Sequence, residues 1–317
     1  MKIKKKILIT GGLGFIGQNL VKFFNSIKFD VTIIDNFSSI NSSNCLFDKK
    51  KVKIHKIDIS NNDKVKKFFK ENKKYNYIIH TAAHFANQNS VDHPISDMKT
   101  NILGIINLLE ATKKYNLKKF IYLSSSCVYP SSLKLSEEDI VKPIETPYAI
   151  SKYSAELYAE FYSNFYGIPI NIVRIFNTYG PGEKAHKYRN VIPNFIERAL
   201  ANKNLYITGT GKETRDFTYI DDAVKIIFNT LKSKKKISII NSCTGKKTEI
   251  GNLAKKIIKY TNSKSKIIVV NKARKWDKIK NRTGNIYNTL KIINKKYFTE
   301  IDVGLKKTID WYRHINY

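Results

Sequence analysis

The sequence predicts an α/β fold with a doubly wound, parallel sheet and a smaller α/β domain beside it. Residues 6–35 alternate strand-like and helix-like patterns around a glycine-rich turn. The same alternation continues to about residue 175, which is the order that a parallel sheet requires. A chain of 317 residues, 42% hydrophobic, is also long enough to bury a substantial core.

The glycine-rich turn predicts a dinucleotide site of the Rossmann type. Gly11 permits the tight turn, Gly14 lets the backbone approach a pyrophosphate, and Gly17 allows the helix to pack closely on the sheet. Asp35 ends the next strand, at the spacing expected for a carboxylate that binds the adenosine ribose. Because this carboxylate would repel a 2′-phosphate, the pattern favours NAD over NADP.

Composition sets limits on the compartment and on the partners. The three cysteines lack metal-ligand spacing, so they favour a reducing compartment and give no indication of a bound metal. No run of about 18 apolar residues predicts a membrane span, and a cytoplasmic protein is expected. The formal charge of +31 comes from scattered lysines without an arginine-rich or aromatic-interleaved segment, which argues against nucleic-acid binding.

The segment from 119 to 152 supplies candidate catalytic groups. Ser125 ends an apolar strand-like run, and Tyr148 lies four residues before Lys152 at the start of a helix-like run. Residues at this spacing share one helical face, so the ammonium is expected beside the phenol, where it favours phenolate. Other Tyr/Lys pairs have the same spacing, but only this one follows both a hydroxyl-bearing strand and the phosphate-binding turn.

These motifs together resemble the extended short-chain dehydrogenase/reductase family, in its NAD-dependent nucleotide-sugar epimerase and dehydratase branch. The resemblance covers nearly the whole chain. It implies an NAD-binding domain of residues 1–175 and 213–241, and a nucleotide-sugar-binding domain of residues 176–212 and 242–317. Its marks are TGGLGFIG at 10–17, Asp35, Ser125, YAISK at 148–152, FNTYGPGE at 176–183 and GTGKETRDFTYIDD at 209–222.

The resemblance also implies two sets of binding residues. Asn101 is expected mainly to support the active-site strand, and Arg215 to clamp the diphosphate. Simple packing at a strand end would equally explain Ala82 and Ala83. The residues expected at NAD are Gly11, Gly14, Phe15, Ile16, Gly17, Asp35, Asn36, Asp58, Ile59, Ala82, Ala83, Asn101, Tyr148 and Lys152. Those expected at the substrate are Ser125, Ser126, Asn177, Asn190, Val191, Arg215 and Arg282.

The residues after Ser125 bear on which reaction is catalysed. Family dehydratases place Asp-Glu there, and family decarboxylases place Glu at the second position. This chain has Ser126 and Cys127 instead. The resemblance therefore implies 4-epimerisation through a 4-keto sugar, with Ser125 bonded to the 4-hydroxyl and Tyr148 taking its proton. A UDP-sugar is favoured, and a GDP-sugar remains possible.

Three further expectations remain open at this point. A cysteine at position 127 also resembles that of GDP-sugar epimerases, so 3- or 3,5-epimerisation with Cys127 as acid/base is an alternative. A non-catalytic dinucleotide-binding protein is a second alternative, to which the intact Ser125, Tyr148 and Lys152 are opposed. A homodimer is expected through helices 95–114 and 148–167, with apolar residues that include Ile102, Ile106, Leu109, Leu157 and Phe161.

Overall fold

The computed structural model describes residues 4–39, 45–72, 75–129, 135–139, 143–270, 280–293 and 298–315. Within them, a parallel sheet of seven strands forms the centre of the molecule, in the order β11-β6-β5-β4-β1-β2-β3. This confirms the predicted Rossmann-type sheet. Its strands are β1 (Lys6–Thr10), β2 (Asp30–Asp35), β3 (Lys53–Lys56), β4 (Tyr77–His80), β5 (Lys119–Ser125), β6 (Ile170–Ile175) and β11 (Ile237–Ser242).

Helices cover both faces of the sheet. Alternate apolar residues of each strand face opposite sides of the sheet. Ile7 and Ile9 lie with apolar residues of the helices Phe15–Ser26 and Ile220–Thr230. Leu8 lies with those of Asn62–Glu71, Gly104–Thr112 and Pro147–Tyr166. The helices are α1 (Phe15–Ser26), α2 (Asn62–Glu71), α3 (Asn87–Asp92), α4 (Pro94–Met98), α5 (Gly104–Thr112), α6 (Pro147–Tyr166), α7 (Val191–Leu200), α8 (Ile220–Thr230), α9 (Ile250–Thr261), α10 (Tyr287–Ile293) and α11 (Ile301–Ile315).

Local sequence explains the bounds of α6, the helix that carries Tyr148 and Lys152. Thr146 caps its first turn by accepting a hydrogen bond from the Ala149 amide, and Pro147 occupies the first helical position. Gly167 ends the helix in a left-handed conformation, with φ of 76°. The helix predicted at 95–114 differs in detail, since a π-helical turn over Lys99–Leu103 separates α4 from α5.

Short strands form three smaller sheets beyond the central one. They are β7 (Thr178–Tyr179) with β10 (Thr218–Tyr219), β9 (Thr214–Arg215) with β12 (Thr248–Glu249) and β14 (Asn281–Arg282), and β8 (Leu205–Thr208) with β13 (Ile267–Val270). The predicted two-domain division remains a proposal, and these pairings place residues 214–219 beside the smaller region. No helix among the described residues is long and apolar enough to cross a membrane.

Candidate active site

A cleft of about 1040 Å³ lies where β1, β2, β4, β5 and β6 end. Ligands of open parallel sheets bind outside the carboxyl ends of the strands, because the connecting loops diverge there. Residues from the central sheet, α6, α7 and the smaller sheets all line this cleft. The cleft thus joins the predicted cofactor residues to the predicted substrate residues.

The glycine turn leaves no room for side chains between β1 and α1. Gly11 has φ of +68°, and a Cβ added there would lie 2.6 Å from the Ala82 amide nitrogen. A Cβ on Gly17 would lie 2.1 Å from the Gly11 carbonyl oxygen. Gly14 precedes α1 without any side-chain cap, so the free amides of the first turn can bind an anion. Phe15 and Ile16, at the start of α1, also line the cleft.

Asp35 has the position expected for a ribose-binding carboxylate. It ends β2 and is buried, and its two carboxylate oxygens accept hydrogen bonds from the backbone amides of Leu13 and Phe37, at 2.9 and 2.8 Å. Burial raises its pKa, and these two hydrogen bonds act in the opposite direction. The rigid carboxylate and the glycine turn therefore fit a dinucleotide.

Asp58 lines the same end of the cleft with Asn36 and Ile59. Its carboxylate accepts hydrogen bonds from the Ser60 amide and hydroxyl, at 2.8 and 2.7 Å, and from the Asn36 amide at 3.2 Å. Burial raises the pKa of Asp58, but the hydrogen bonds and the Lys64 charge outweigh it, so the pKa lies below its ordinary value. Asp58 is therefore ionised at neutral pH.

Ser125, Tyr148 and Lys152 all line the cleft. Ser125 is the last residue of β5, and its hydroxyl accepts a hydrogen bond from the Cys127 amide at 3.1 Å. The Tyr148 ring packs edge-on to Phe85, with centroids 5.9 Å apart, and its hydroxyl shares a hydrogen bond with Ser125. A proton-accepting phenol and a hydroxyl that can hold the substrate therefore lie together.

Burial opposes the expected activation of Tyr148 by Lys152, which stays a prediction. Burial raises the pKa of Tyr148 far above its ordinary value, and the Ser125 hydrogen bond offsets only part of this. Burial also lowers the pKa of Lys152 to about 7, although Asp97 and Glu156 act in the opposite direction. The Lys152 amine donates to the Leu123 carbonyl at 2.6 Å and lies 4.4 Å from the centre of the Tyr122 ring.

Cys127 has two polar neighbours at its sulfur atom. The Sγ atom lies 3.4 Å from Nη1 of Arg282 and 3.5 Å from Nδ2 of Asn87. Arg282 is 9% exposed, and its Nε atom has no hydrogen-bond partner among the described residues.

The remaining predicted substrate residues line the other side of the cleft. Asn177 donates to the Asp216 carbonyl at 3.1 Å, and Arg215 donates to the Thr214 carbonyl at 3.0 Å. Asn190 precedes α7 and Val191 begins it, so the amides of this helix's first turn face the substrate side. Ser126 lies between Ser125 and Cys127 in a 3₁₀ turn.

Asn101 does not lie among the cleft residues, unlike the other residues predicted to bind NAD. Its side-chain amide donates to Asp97 at 2.9 Å, to Ser151 at 3.1 Å and to the His84 carbonyl at 3.2 Å. Its side-chain oxygen accepts from the His84 amide at 2.9 Å. Asn101 therefore fixes the loop after β4 to α6, instead of supporting β5 as expected.

The cleft residues that the sequence reasoning missed include Asn87, Glu145 and Glu183. Asn87 gave no motif signal, and Glu145 directly precedes the Thr146 cap of α6. Glu183 ends the FNTYGPGE motif, so its position was available from the sequence, although its burial was not. Burial raises the pKa of Glu183 to about 8, with Arg189 and Asn190 acting in the opposite direction.

Two histidines lie four residues apart, His80 in the protein interior and the partly exposed His84 in the lining of the cleft. His80 is buried, its Nδ1 shares a 2.7 Å hydrogen bond with the Thr10 hydroxyl, and burial lowers its pKa to about 3. Among the residues that the structure describes, no three His, Cys, Asp or Glu side chains form a group that could hold a metal ion.

Comparison with known proteins places this arrangement in a family. The model of the NAD dependent epimerase/dehydratase family matches residues 7–242. The chain belongs to this family. It is therefore an enzyme of the NAD-dependent epimerase/dehydratase class, in the extended short-chain dehydrogenase/reductase branch, and its cofactor is NAD.

Relatives with different reactions are similar over the whole chain. A putative UDP-glucose 4-epimerase of Methanocaldococcus jannaschii is 34% identical over 320 residues, covering 98% of this chain and 99% of that protein. A UDP-N-acetyl-alpha-D-glucosaminuronate decarboxylase of Bacillus cytotoxicus is 34% identical over 323 residues, covering 99% of each. The structure of UDP-N-acetylglucosamine 4-epimerase from Methanobrevibacter ruminantium superposes with a TM-score of 0.90 at 31% identity, covering 98% of this chain and 99% of that one.

Proposed function

We propose that this enzyme is a nucleotide-sugar 4-epimerase that acts on a UDP-hexose. One observation carries the proposal. Ser125, Tyr148 and Lys152 line the same cleft as the dinucleotide turn, while the two residues after Ser125 are Ser126 and Cys127. A site that removes hydride and proton from C4 but has no carboxylate at these positions suits epimerisation better than dehydration or decarboxylation.

Each catalytic side chain has a defined task in this proposal. Ser125 accepts or donates a hydrogen bond at the sugar 4-hydroxyl, and Tyr148 takes the hydroxyl proton. When bound, NAD accepts the C4 hydride and later returns it. After the 4-keto sugar turns over, Tyr148 gives the proton back, so the configuration at C4 is inverted. Lys152 is held by the Leu123 carbonyl and supplies positive charge to the site when it is protonated.

The names of the relatives support the C4 reaction without deciding the substrate. A putative 4-epimerase and a decarboxylase are equally identical to this chain, at 34%. The 4-epimerase reading is preferred because Cys127 occupies the position at which decarboxylases of the family carry glutamate. A UDP-sugar is preferred because the named relatives act on UDP-sugars.

Product analysis tests the proposal. Incubation with UDP-glucose, UDP-N-acetylglucosamine and UDP-glucuronic acid should convert at least one of them into its C4 epimer, seen by proton NMR through the changed H3–H4 and H4–H5 couplings. No added reductant should be required, because the hydride is returned to the same sugar. Release of carbon dioxide or loss of water, without any C4 epimer, would contradict the proposal.

The neighbours of Cys127 favour a second candidate function. With Arg282 and Asn87 as donors at its sulfur, Cys127 can remove a proton from the carbon beside a C4 ketone. The reaction would then be 3- or 3,5-epimerisation, on a UDP- or GDP-sugar. Cleft residues of α6 and β5 serve both reactions, so only the role of Cys127 separates them.

We also propose a homodimer. Leu157, Phe161 and Phe165 are 49%, 50% and 71% exposed on α6, and the Phe161 and Phe165 rings stack with centroids 5.4 Å apart. Exposed apolar residues on the preceding helices, Val91, Ile95, Met98 and Leu103, belong to the same part of the chain. In a dimer with a two-fold axis, the same apolar face of each copy packs against that of the other. Leu109 is fully buried in the core, so it is one of the helix residues that face the sheet.

Charges on this face should disrupt the dimer. Replacing Phe161 and Phe165 together by glutamate places four carboxylates at a two-fold interface, and we expect the dissociation constant to rise at least about 100-fold. Sedimentation velocity at micromolar concentration measures the shift to monomer. Val303→Glu is the control, because Val303 is equally apolar and exposed but lies on α11. A wild-type protein that sediments as a monomer contradicts the proposal.

A further inference from the structure

Glu183 is a buried acid in the wall of the cleft that the proposed reaction does not use. It is 2% exposed, and its Oε2 atom has no hydrogen-bond partner among the described residues. Its Oε1 atom lies 3.5 Å from the side-chain amide of Asn190, the residue that precedes α7. We propose that Glu183, in its protonated form, donates a hydrogen bond to the diphosphate of the nucleotide sugar. This inference rests on the proposed function.

The loop around Glu183 is rigid, so the carboxyl group has a fixed position. The Glu183 amide donates to the Gly180 carbonyl at 3.3 Å, and the Tyr312 hydroxyl on α11 donates to the Glu183 carbonyl at 2.7 Å. Gly182 has φ of 95°, and Asn19 of α1 donates to the Pro181 carbonyl at 3.0 Å. Two helices, α1 and α11, therefore hold this loop against the cleft.

The surroundings of Glu183 favour the uncharged acid. Among the described residues, no cation lies within ion-pairing distance of it, and the charge that acts on it is that of Arg189, which precedes α7. The neighbours on α1 and α11 contribute Asn19 and the Tyr312 hydroxyl, neither of which carries charge at neutral pH. Since burial raises the pKa to about 8, Glu183 is largely protonated at neutral pH.

A protonated carboxyl group is a donor, and a donor at this place suits an anion. The ten-residue helix α7 begins beside it without a side-chain cap, so its first-turn amides also point to the cleft. Backbone amides, the Asn190 side chain and the Glu183 hydroxyl together match the oxygens of a diphosphate. An ionised Glu183 would repel the same group.

The dinucleotide and the nucleotide sugar both contain a diphosphate, and the geometry favours the second. The dinucleotide has its own helix N-terminus at Gly14 and α1. Glu183 is bonded to Asn190 at α7, on the side where the substrate residues lie. Binding of the nucleotide sugar should therefore depend on the protonation of Glu183, and retention of NAD should not.

The test is the affinity for UDP-glucose, measured by calorimetry on the NAD-loaded enzyme from about pH 6.5 to about pH 9. A protonated acid with a pKa near 8 becomes scarcer above that pH. Wild-type affinity should therefore fall about tenfold for each pH unit above about 8. Glu183→Gln keeps an uncharged donor, so its affinity should stay within about threefold of the wild-type value at low pH and should not change with pH.

Two controls separate the sources of an effect. Glu197→Gln alters an exposed carboxylate on α7, and its affinity should show the wild-type pH dependence. The amount of NAD that remains bound after gel filtration at each pH should be the same for wild type and Glu183→Gln. A pH-dependent loss of NAD in the wild type alone would overturn the proposal, because Glu183 would then serve the dinucleotide.

The remaining outcomes are also decisive. If Glu183→Gln shows the wild-type pH dependence, or if the wild type shows none, the role assigned to Glu183 is wrong while the proposed function stands. If UDP-glucose, UDP-N-acetylglucosamine and UDP-glucuronic acid all fail to bind at every pH, both the proposed function and this inference fail. Glu183→Gln should fold, because it removes the cost of burying an ionisable group. A thermal midpoint at or above the wild-type value at pH 8 verifies this.

Discussion

Replacing Tyr148 by phenylalanine is expected to lower turnover at least about 100-fold, because the variant lacks the group that takes the hydroxyl proton. The ring itself should stay in place, since it is buried beside Phe85 at 5.9 Å and loses only its hydroxyl. NAD content should therefore equal that of the wild type. The measurement is the initial rate of C4 epimer formation at saturating nucleotide sugar, with bound NAD quantified after denaturation.

Tyr158→Phe is the matched control for this loss. Tyr158 lies on the same helix but is 41% exposed and outside the cleft, so its variant should keep wild-type turnover. A Tyr148→Phe enzyme that retains most of its activity would show that another group takes the proton. Loss of bound NAD in this variant would instead show that the hydroxyl positions the cofactor.

The sequence was sufficient to predict NAD as the cofactor because the backbone geometry of the glycine turn is visible in the sequence. A turn that needs φ of +68° at Gly11, and has no room for a Cβ at Gly17, leaves a readable glycine pattern. The parallel sheet followed from the alternation of strands and helices, which also places Asp35 at the carboxyl end of its strand. The glycine pattern and the alternation can both be read from the sequence without knowledge of tertiary contacts.

The pKa shifts in the cleft could not be predicted from the sequence because they depend on burial. The i,i+4 spacing places Tyr148 and Lys152 on one face of α6. Burial, however, raises the pKa of Tyr148 and lowers that of Lys152, so it disfavours the charged form of each side chain. The same limit hid Glu183, whose motif was recognised as a turn. The packing of Asn101 and Leu109 could not be predicted either. Asn101 lies behind the wall of the cleft, and Leu109 lies in the core. Hydrophobic periodicity alone did not show which way each side chain faces.

The neighbours of Cys127 could not be read from the sequence either. Arg282 is 155 residues away along the chain, and Asn87 is 40 residues away, but both place a donor nitrogen within 3.5 Å of the sulfur. Pairings over such separations follow from the path of the chain between the central sheet and the smaller sheets. The choice between the two proposed reactions therefore depends on the role of Cys127, which an experiment can test.

Turnover in heavy water is expected to leave the sugar without carbon-bound deuterium, because a 4-epimerase returns the original hydrogen to C4. Removal of a proton from C3 or C5 would instead exchange it with solvent and place deuterium there. Proton NMR and mass spectrometry of the recovered nucleotide sugar distinguish these results. Partial reaction is sufficient, because exchange beside the ketone accompanies every such proton transfer.

Cys127→Ser makes the same distinction through the enzyme. If only C4 is inverted, Cys127 is a wall residue, and the variant should keep turnover within about tenfold of the wild type. If Cys127 removes a carbon-bound proton, serine should lower turnover at least about 100-fold, because its hydroxyl is a far weaker acid than the thiol. Cys45→Ser is the control, since Cys45 is a partly exposed cysteine that does not line the cleft. Deuterium at C3 or C5 together with collapse of Cys127→Ser would replace the 4-epimerase by the 3- or 3,5-epimerase, and retained turnover without deuterium would exclude it.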